Sequence, residues 1–469
     1  MDYSKLSVSD FIKESKKGNI DINDFQSRFF EETEKIQKKY NHFITISKKE
    51  AKDSIKKLDR KSKLAGIPIS VKDNICTKGI QSTAGSKILE NYIPPFDATS
   101  ISRGKQEGGI IIGKTVQDEF GFGTFSTNSA FGYPKNPVDP NRSCGGSSGG
   151  AGGFTRAINM PHIALGESTG GSISCPASFC GVVGLTPTYG RVSRYGLIDY
   201  ANSLDKIGPM SKTVKDSALM LSIISGKDPL DQTSIQKNAE DFTRYCGKDI
   251  KGMKIGIPKE YFKNIDKDVE KTVRSAISKL EELGAKITDI SLSTTDYALP
   301  SYYIIATVEA STNLARYCGM RYGAQDEIKG YFNEYFSNTR GKYLGEEAKR
   351  RIILGTYARM AGYRDQYYLK ALKVRTLIIE DFKKAFRKVD ILAAPTMPIV
   401  APKFTEIEKL TPIENYAMDN LTVGPNLAGI PMISIPCGTA KEMPVGLHLL
   451  GDHLKEGKII QAADAFERL

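Results

Sequence analysis

Between Ser143 and Ser174 the chain reads SCGGSSGGAGGFTRAINMPHIALGESTGGSIS, and this stretch constrains the fold more than any other. Two glycine–serine runs, Gly145–Gly153 and Gly166–Ser174, flank a short apolar segment containing Ile163–Leu165. Glycine at this density lets backbone come close to a ligand and lets N–H groups converge on one point. A flexible linker shares the composition, but linkers are not set between buried apolar strands. The two runs are therefore expected as loops beside a sheet. In the second, Thr169, Gly170 and Gly171 immediately precede Ser172. That order can aim several N–H donors at an oxyanion formed when Ser172 attacks a carbonyl.

The surrounding pattern is α/β. Ile22, Phe25, Phe29, Ile36 and Tyr40 recur at helical steps within a lysine- and glutamate-rich segment, so residues 1–60 are expected to be helical. Short apolar strands are expected at Ile67–Val71, Ile110–Ile112, Val389–Ala394, Met432–Pro436 and Val445–Leu450. Residues 253–292 read as strand–helix–strand, with Val269, Val273, Ile277, Leu280 and Leu283 as the helix stripe and Gly284 as its stop. Residues 300–388 are mostly helical. Strands alternating with helices argue a layered α/β fold. At about 150 residues per domain the length suggests three domains. No linker, repeat or low-complexity tract divides the chain, which favours one large domain.

Residues 108–115, GGIIIGKT, match the phosphate-binding loop pattern letter for letter. That loop needs a flexible turn whose N–H groups wrap phosphates, and three consecutive isoleucines are stiff strand formers instead. The nucleotide-binding reading is refused, and Lys114 is expected to be an ordinary polar residue at a strand end.

A serine nucleophile needs a base. The G-x-S-x-G elbow is absent, because Gly170–Ser174 reads GGSIS. The residues leave two kinds of base open. One is a histidine, of which there are only four: His42, His162, His448 and His453. None lies in a recognisable catalytic setting, and His162 is expected to be structural. The other is Lys72, at the end of the apolar strand Ile67–Val71, where shielding from water would make it usable as a base. The seven cysteines lack C-x-x-C spacing, and the first residues lack the apolar core of a signal peptide. No apolar run reaches the roughly 18 residues that span a bilayer. A reducing, cytoplasmic setting is expected.

Four segments in order, Gly66–Asn74 (GIPISVKDN), Gly113–Gly121 (GKTVQDEFG), Asn128–Pro137 (NSAFGYPKNP) and Gly145–Ser172, resemble successive blocks of the amidase signature family. The likeness runs from around residue 60 to residue 469. It implies carboxamide hydrolysis by a Ser–Ser–Lys triad on a central mixed β-sheet covered by helices on both faces. The implied plan is one domain over 1–469. It has a helical segment 1–60, a signature core 64–250, an α/β and helical segment 253–388, and C-terminal strands 389–469 completing the core. By position, Lys72 would be the base and Ser147, which follows a cis peptide in the family, the bridging serine. Ser172 would be the nucleophile, and the N–H groups of Thr169, Gly170, Gly171 and Ser172 the oxyanion hole. No metal or other cofactor is implied in this chain. Three departures stand out. Ser168 occupies the usual acidic position, with Glu167 beside it; Ser174 replaces the usual arginine; and one extra residue lies between the loops, near His162.

Tyr302–Asn313 (YYIIATVEASTN), Arg321–Gly323, Lys349–Tyr357 (KRRIILGTY), Val374–Leu377 (VRTL) and Tyr416–Gly429 resemble one branch of that family. Its members release ammonia from glutamine for tRNA-dependent amidotransferases. The resemblance implies Arg351 on the glutamine carboxylate, with Asp419 and Tyr302 at its amino-acid end and Arg350 as a competitor for Arg351. A zwitterion does need one fork-shaped cation and one anion. It further implies two partner proteins, the B and C subunits of such an enzyme. The B subunit would carry ATP, Mg²⁺ and the misacylated Glu-tRNA(Gln) and/or Asp-tRNA(Asn), and the small C subunit would stabilise the pair. The net charge, 66 basic minus 54 acidic or +12, then fits docking near tRNA held mainly by the partner. A stand-alone amidase for small carboxamides is the alternative, and it would not need Arg351 and Asp419. A basic RNA-binding protein with a dead site is a further one.

Overall fold

The computed structural model describes residues 2–469. Eleven strands form one mixed sheet: β1 Phe43–Ile46, β2 Pro68–Lys72, β3 Ile110–Thr115, β4 Ile163–Ser168, β5 Val183–Thr186, β6 Lys206–Ser211, β7 Lys254–Pro258, β8 Lys286–Ile290, β9 Ile391–Pro395, β10 Met432–Ala440 and β11 Met443–Gly451. Their spatial order is β1-β3-β2-β4-β6-β5-β10-β11-β9-β7-β8. β3, β2 and β4 run parallel at one end, as do β9, β7 and β8 at the other. The pairs from β4 through to β9 are antiparallel.

Alternation along the central strands separates two cores. Ile391 and Ala393 of β9, with Leu447 and Leu449 of β11, face one apolar cluster. Leu392, Ala394 and Leu450 face the other. Successive side chains of a strand point to opposite faces, so both faces are buried, and both are covered by helices. The helix Lys267–Glu282 packs Val269, Val273, Ile277 and Leu280 on the first face. Asp266 caps it by accepting from the N–H groups of Asp268 and Val269. The helices Ala298–Asn313 and Lys370–Phe386 contribute Tyr302, Ile305, Ile378 and Phe382 to the second.

Three sequence expectations change. Residues 2–60 hold helices joined by turns, and also β1, which pairs with β3 at the sheet edge. Gly145–Gly153 is not loop throughout, because a helix runs from Gly149 to Ala157. Its glycines serve close packing: a Cβ on Gly150 would lie 2.5 Å from the His42 carbonyl oxygen, and one on Gly153 2.5 Å from His42 Nε2. Lys114 is not an ordinary polar end but fully buried in β3. Its Nζ donates to Ser82 Oγ at 2.6 Å and the Ile75 carbonyl at 2.5 Å, pinning the chain that leaves β2. No described helix is long and apolar enough to cross a membrane.

Candidate active site

β2 and β4 lie side by side and parallel, with Val71 opposite Leu165, so their C-terminal ends open in the same direction. Lys72 is the last residue of β2 and Ser172 follows β4 by four residues. Ser147 lies just before the helix Gly149–Ala157, after a cis Gly146–Ser147 peptide. Lys72 Nζ is 2.7 Å from Ser147 Oγ, and both residues are fully buried. Ser172 is 8% exposed, the one member of the three with access from outside. It is held beside Ser147 through its carbonyl, which accepts from the Ser148 N–H at 3.2 Å. Among the described residues, the N–H groups of Gly170, Gly171 and Ser172 donate to no other backbone group. Buried N–H groups are seldom left without an acceptor, so this trio suits a developing negative charge.

The glycines of this loop are required by contact. A Cβ on Gly170 would fall 2.5 Å from the hydroxyl oxygen of Tyr302, and one on Gly171 2.3 Å from Thr422 Oγ1. Tyr302 thus packs its hydroxyl against the Gly170–Gly171 loop, and Thr422 leads through its bond to the Asp419 carbonyl oxygen to the Asp419 segment.

Arg351, on the helix Glu346–Arg359, is 3% exposed and sits in a cage of rings. Its guanidinium carbon lies 5.2 Å from the Phe122 centroid, 5.6 Å from Tyr200, and 5.3 Å from both Tyr303 and Tyr416. Nε donates to Glu347 Oε1 at 2.8 Å and Nη1 to the Tyr200 hydroxyl at 2.6 Å. Rings stacked about a guanidinium hold its plane and its direction. Arg350 points outward and pairs with Glu347, so Arg351 is the inward-facing one of the two. Asp419 accepts from Thr124 Oγ1 at 2.9 Å and from the Tyr303 hydroxyl at 2.7 Å. Burial raises its carboxyl above the usual range, while these hydrogen bonds and Arg351 lower it. Tyr303, stacked on Tyr416 at 4.1 Å, therefore links Arg351 to Asp419.

The sequence-derived residues thus fall into two adjoining groups: Lys72, Ser147 and Ser172 with their loop, and Arg351, Asp419 and Tyr302. Sequence reasoning missed Tyr200, Tyr303, Glu347 and the role of Glu167. Glu347 had a signal, being four residues before Arg351 on a helix. Tyr200 and Tyr303 had none. His162 is structural as expected, its Nε2 lying 2.9 Å from Ser70 Oγ. Ser174 lies 3.2 Å from His448 Nε2, and Ser168 Oγ is buried with no partner.

Comparison with known proteins supplies the context. Residues 25–460 match the family described as Amidase. The chain is 47% identical over 470 residues to the A subunit of glutamyl-tRNA(Gln) amidotransferase from Halothermothrix orenii, covering 100% of this chain and 98% of that protein. It is 49% identical over 439 residues to the protein of the same name from Methanococcoides burtonii, covering 93% and 92%. The crystal structure of the A subunit of glutamyl-tRNA(Gln) amidotransferase from Thermotoga maritima is similar at a TM-score of 0.84 and 36% identity, over 100% of this chain and 95% of that one.

Proposed function

Because this chain belongs to the Amidase family, we propose that it works as the A subunit of a glutamyl-tRNA(Gln) amidotransferase, hydrolysing glutamine to glutamate and ammonia. The observation that carries the substrate choice is a buried cation, Arg351, and a partly buried carboxylate, Asp419, linked through Tyr303 beside the serine loop. A simple aliphatic amide would place no opposite charge against either group and so gain nothing from them. An α-amino acid satisfies both, its carboxylate on Arg351 and its ammonium on Asp419, with Tyr302 closing the amino-acid end.

Ser172 Oγ attacks the side-chain amide carbon while its proton passes through Ser147 to Lys72. The N–H groups of Thr169, Gly170, Gly171 and Ser172 receive the oxyanion, a contribution of about 3 kcal/mol for a single donor. The relayed proton goes to the leaving nitrogen, ammonia departs, and water releases glutamate by the reverse route. The ammonia serves a partner, the B subunit, which holds ATP, Mg²⁺ and the misacylated tRNA, with the small C subunit joining the pair. Glu-tRNA(Gln) is the acceptor that the relatives' name suggests; Asp-tRNA(Asn) is the other acceptor of the same chemistry. A cytoplasmic setting suits seven cysteines that are all unpaired.

The test is ammonia release from glutamine and from propionamide, with and without the partner subunits. Glutamine is expected to be strongly preferred, and Ser172→Ala to reduce its hydrolysis by at least about 10³-fold. Retained activity in that variant would sink the assignment of the nucleophile. Equal use of propionamide would favour a stand-alone amidase.

A further inference from the structure

We propose that Glu167 is a positioning residue for proton transfer, aiming Lys72 at Ser147 and balancing the charge that Lys72 acquires. The inference rests on the hydrolytic reading of Lys72, Ser147 and Ser172. Lys72 Nζ has three acceptors around it, and two belong to Glu167: its carbonyl oxygen at 2.9 Å and its carboxylate Oε2 at 2.8 Å. The third is Ser147 Oγ at 2.7 Å. A neutral amine has two N–H bonds and one lone pair. With both N–H bonds directed to Glu167, the lone pair is left on the Ser147 side, where that hydroxyl donates to it. Once the proton arrives, the ammonium finds three acceptors already in place. One of them is an anion, in a position with no exposure to water.

The transfer balances without consuming Glu167. The Ser172 proton moves to Ser147 oxygen as the Ser147 proton moves to Lys72 nitrogen; the serine oxygen–carbon bond forms, and the carbonyl π pair moves to oxygen. Collapse breaks the carbon–nitrogen bond, and the same line returns the proton to the leaving nitrogen.

The carboxylate is itself held. Asn74 Nδ2 donates to Oε2 at 3.1 Å and the Thr169 hydroxyl to Oε1 at 2.8 Å. Thr169 Oγ1 also lies 2.7 Å from Asp205 Oδ1, so two carboxylates flank one hydroxyl. Burial, and then the charge of Glu167, push the Asp205 carboxyl well above the ordinary range. With Oε1 held by the Thr169 hydroxyl, Oε2 is left facing Lys72. The other charged groups around the pair are Asp118, on the segment after β3, Asp199, beyond Asp205, and Arg351, behind Tyr200. Burial pushes Asp118 up to about 6. Its titration is common to wild type and variant, so it does not account for a difference between them.

The experiment is the pH dependence of glutamine hydrolysis by the full chain with its partner subunits. Glu167→Gln keeps the shape and removes the charge. It is expected to lower kcat by about 10–100-fold with little change in KM. Without the carboxylate the ammonium loses its one anionic acceptor, so the acidic limb of the pH–rate profile should move to lower pH. Glu167→Asp, which restores the charge one methylene short, should return the limb toward its wild-type position while kcat stays depressed. An unmoved limb in Glu167→Gln, or a loss confined to KM, overturns the proposal. If the Gln variant does not fold, the Asp variant decides: a wild-type kcat overturns the proposal, and a depressed kcat with the limb in place supports it. Ser172→Ala is measured in parallel. Activity persisting there breaks the hydrolytic reading itself, whereas its loss beside an unmoved limb removes only the role of Glu167.

Discussion

At the scale of the residue, position along a strand decides what a side chain can do. Glu167 and Ser168 are neighbours in β4, so they face opposite sides of the sheet. The acid at 167 meets Lys72, while Ser168 is buried on the other side with no partner. The departure was visible in the sequence, but its consequence was not, because strand facing depends on where pairing starts. The closeness of Lys72 to Ser147 and the Ser172 loop was legible because their motifs are local. Tyr200 and Tyr303 were not, because a ring that cages a distant arginine carries no local mark. Arg351 and Arg350 give a direct contrast. A lysine cannot reproduce a planar fork fixed by Tyr200 and Glu347. Arg351→Lys is expected to raise KM for glutamine by about 10–100-fold, against a change within about twofold for Arg350→Ala. Steady-state ammonia release measures both, and equal effects at the two positions would refute the substrate role of Arg351.

At the scale of the element, the glycine-rich stretch shows why composition misleads. The same residue type forms a closely packed helix at Gly149–Ala157 and an equally closely packed loop at Gly170–Gly171. In the first case small size lets the helix sit against His42, Val116 and Cys144; in the second it leaves room for Tyr302 and Thr422. Contacts made across the fold distinguish the two, and sequence alone does not contain them. The strand–helix–strand unit at 253–292 was legible from its stripe and its stop, which are local signals; the Asp266 cap is local too but went unread. Gly170→Ala tests the loop. Its Cβ would meet the Tyr302 ring at 2.5 Å, so the loop or the tyrosine must move. A fall in kcat of about 100-fold is expected, with an unfolding midpoint near that of wild type. A variant with wild-type kcat would show that the loop tolerates displacement.

At the scale of the whole molecule, layers were legible and strand order was not, because pairing between remote segments leaves no trace in either. One long-range tie makes a stability prediction. Glu119, just after β3, accepts from the Ser86 hydroxyl and from the Gly345 N–H at the start of the Arg351 helix. Burial pushes its carboxyl from 4.5 to about 7, against the opposing pull of those hydrogen bonds. The folded chain therefore holds this proton more tightly than the unfolded chain, and stability is lost as pH rises from 4.5 through about 7. Relative to wild type, Glu119→Gln should gain on the order of 1–3 kcal/mol across that window, read as a pH-dependent difference in denaturant midpoints. A constant difference would argue against it. The sheet order has a further consequence, for biosynthesis. β10 and β11 sit at its centre yet follow all nine of their companions along the chain, joining β5 on one side to β9 on the other. While the ribosome is still translating, β5 and β9 both present raw edges that only this late hairpin can cover. Such edges invite pairing with other chains. The emerging polypeptide is therefore most exposed to aggregation just before β10 and β11 leave the exit tunnel, which is where a chaperone would matter most.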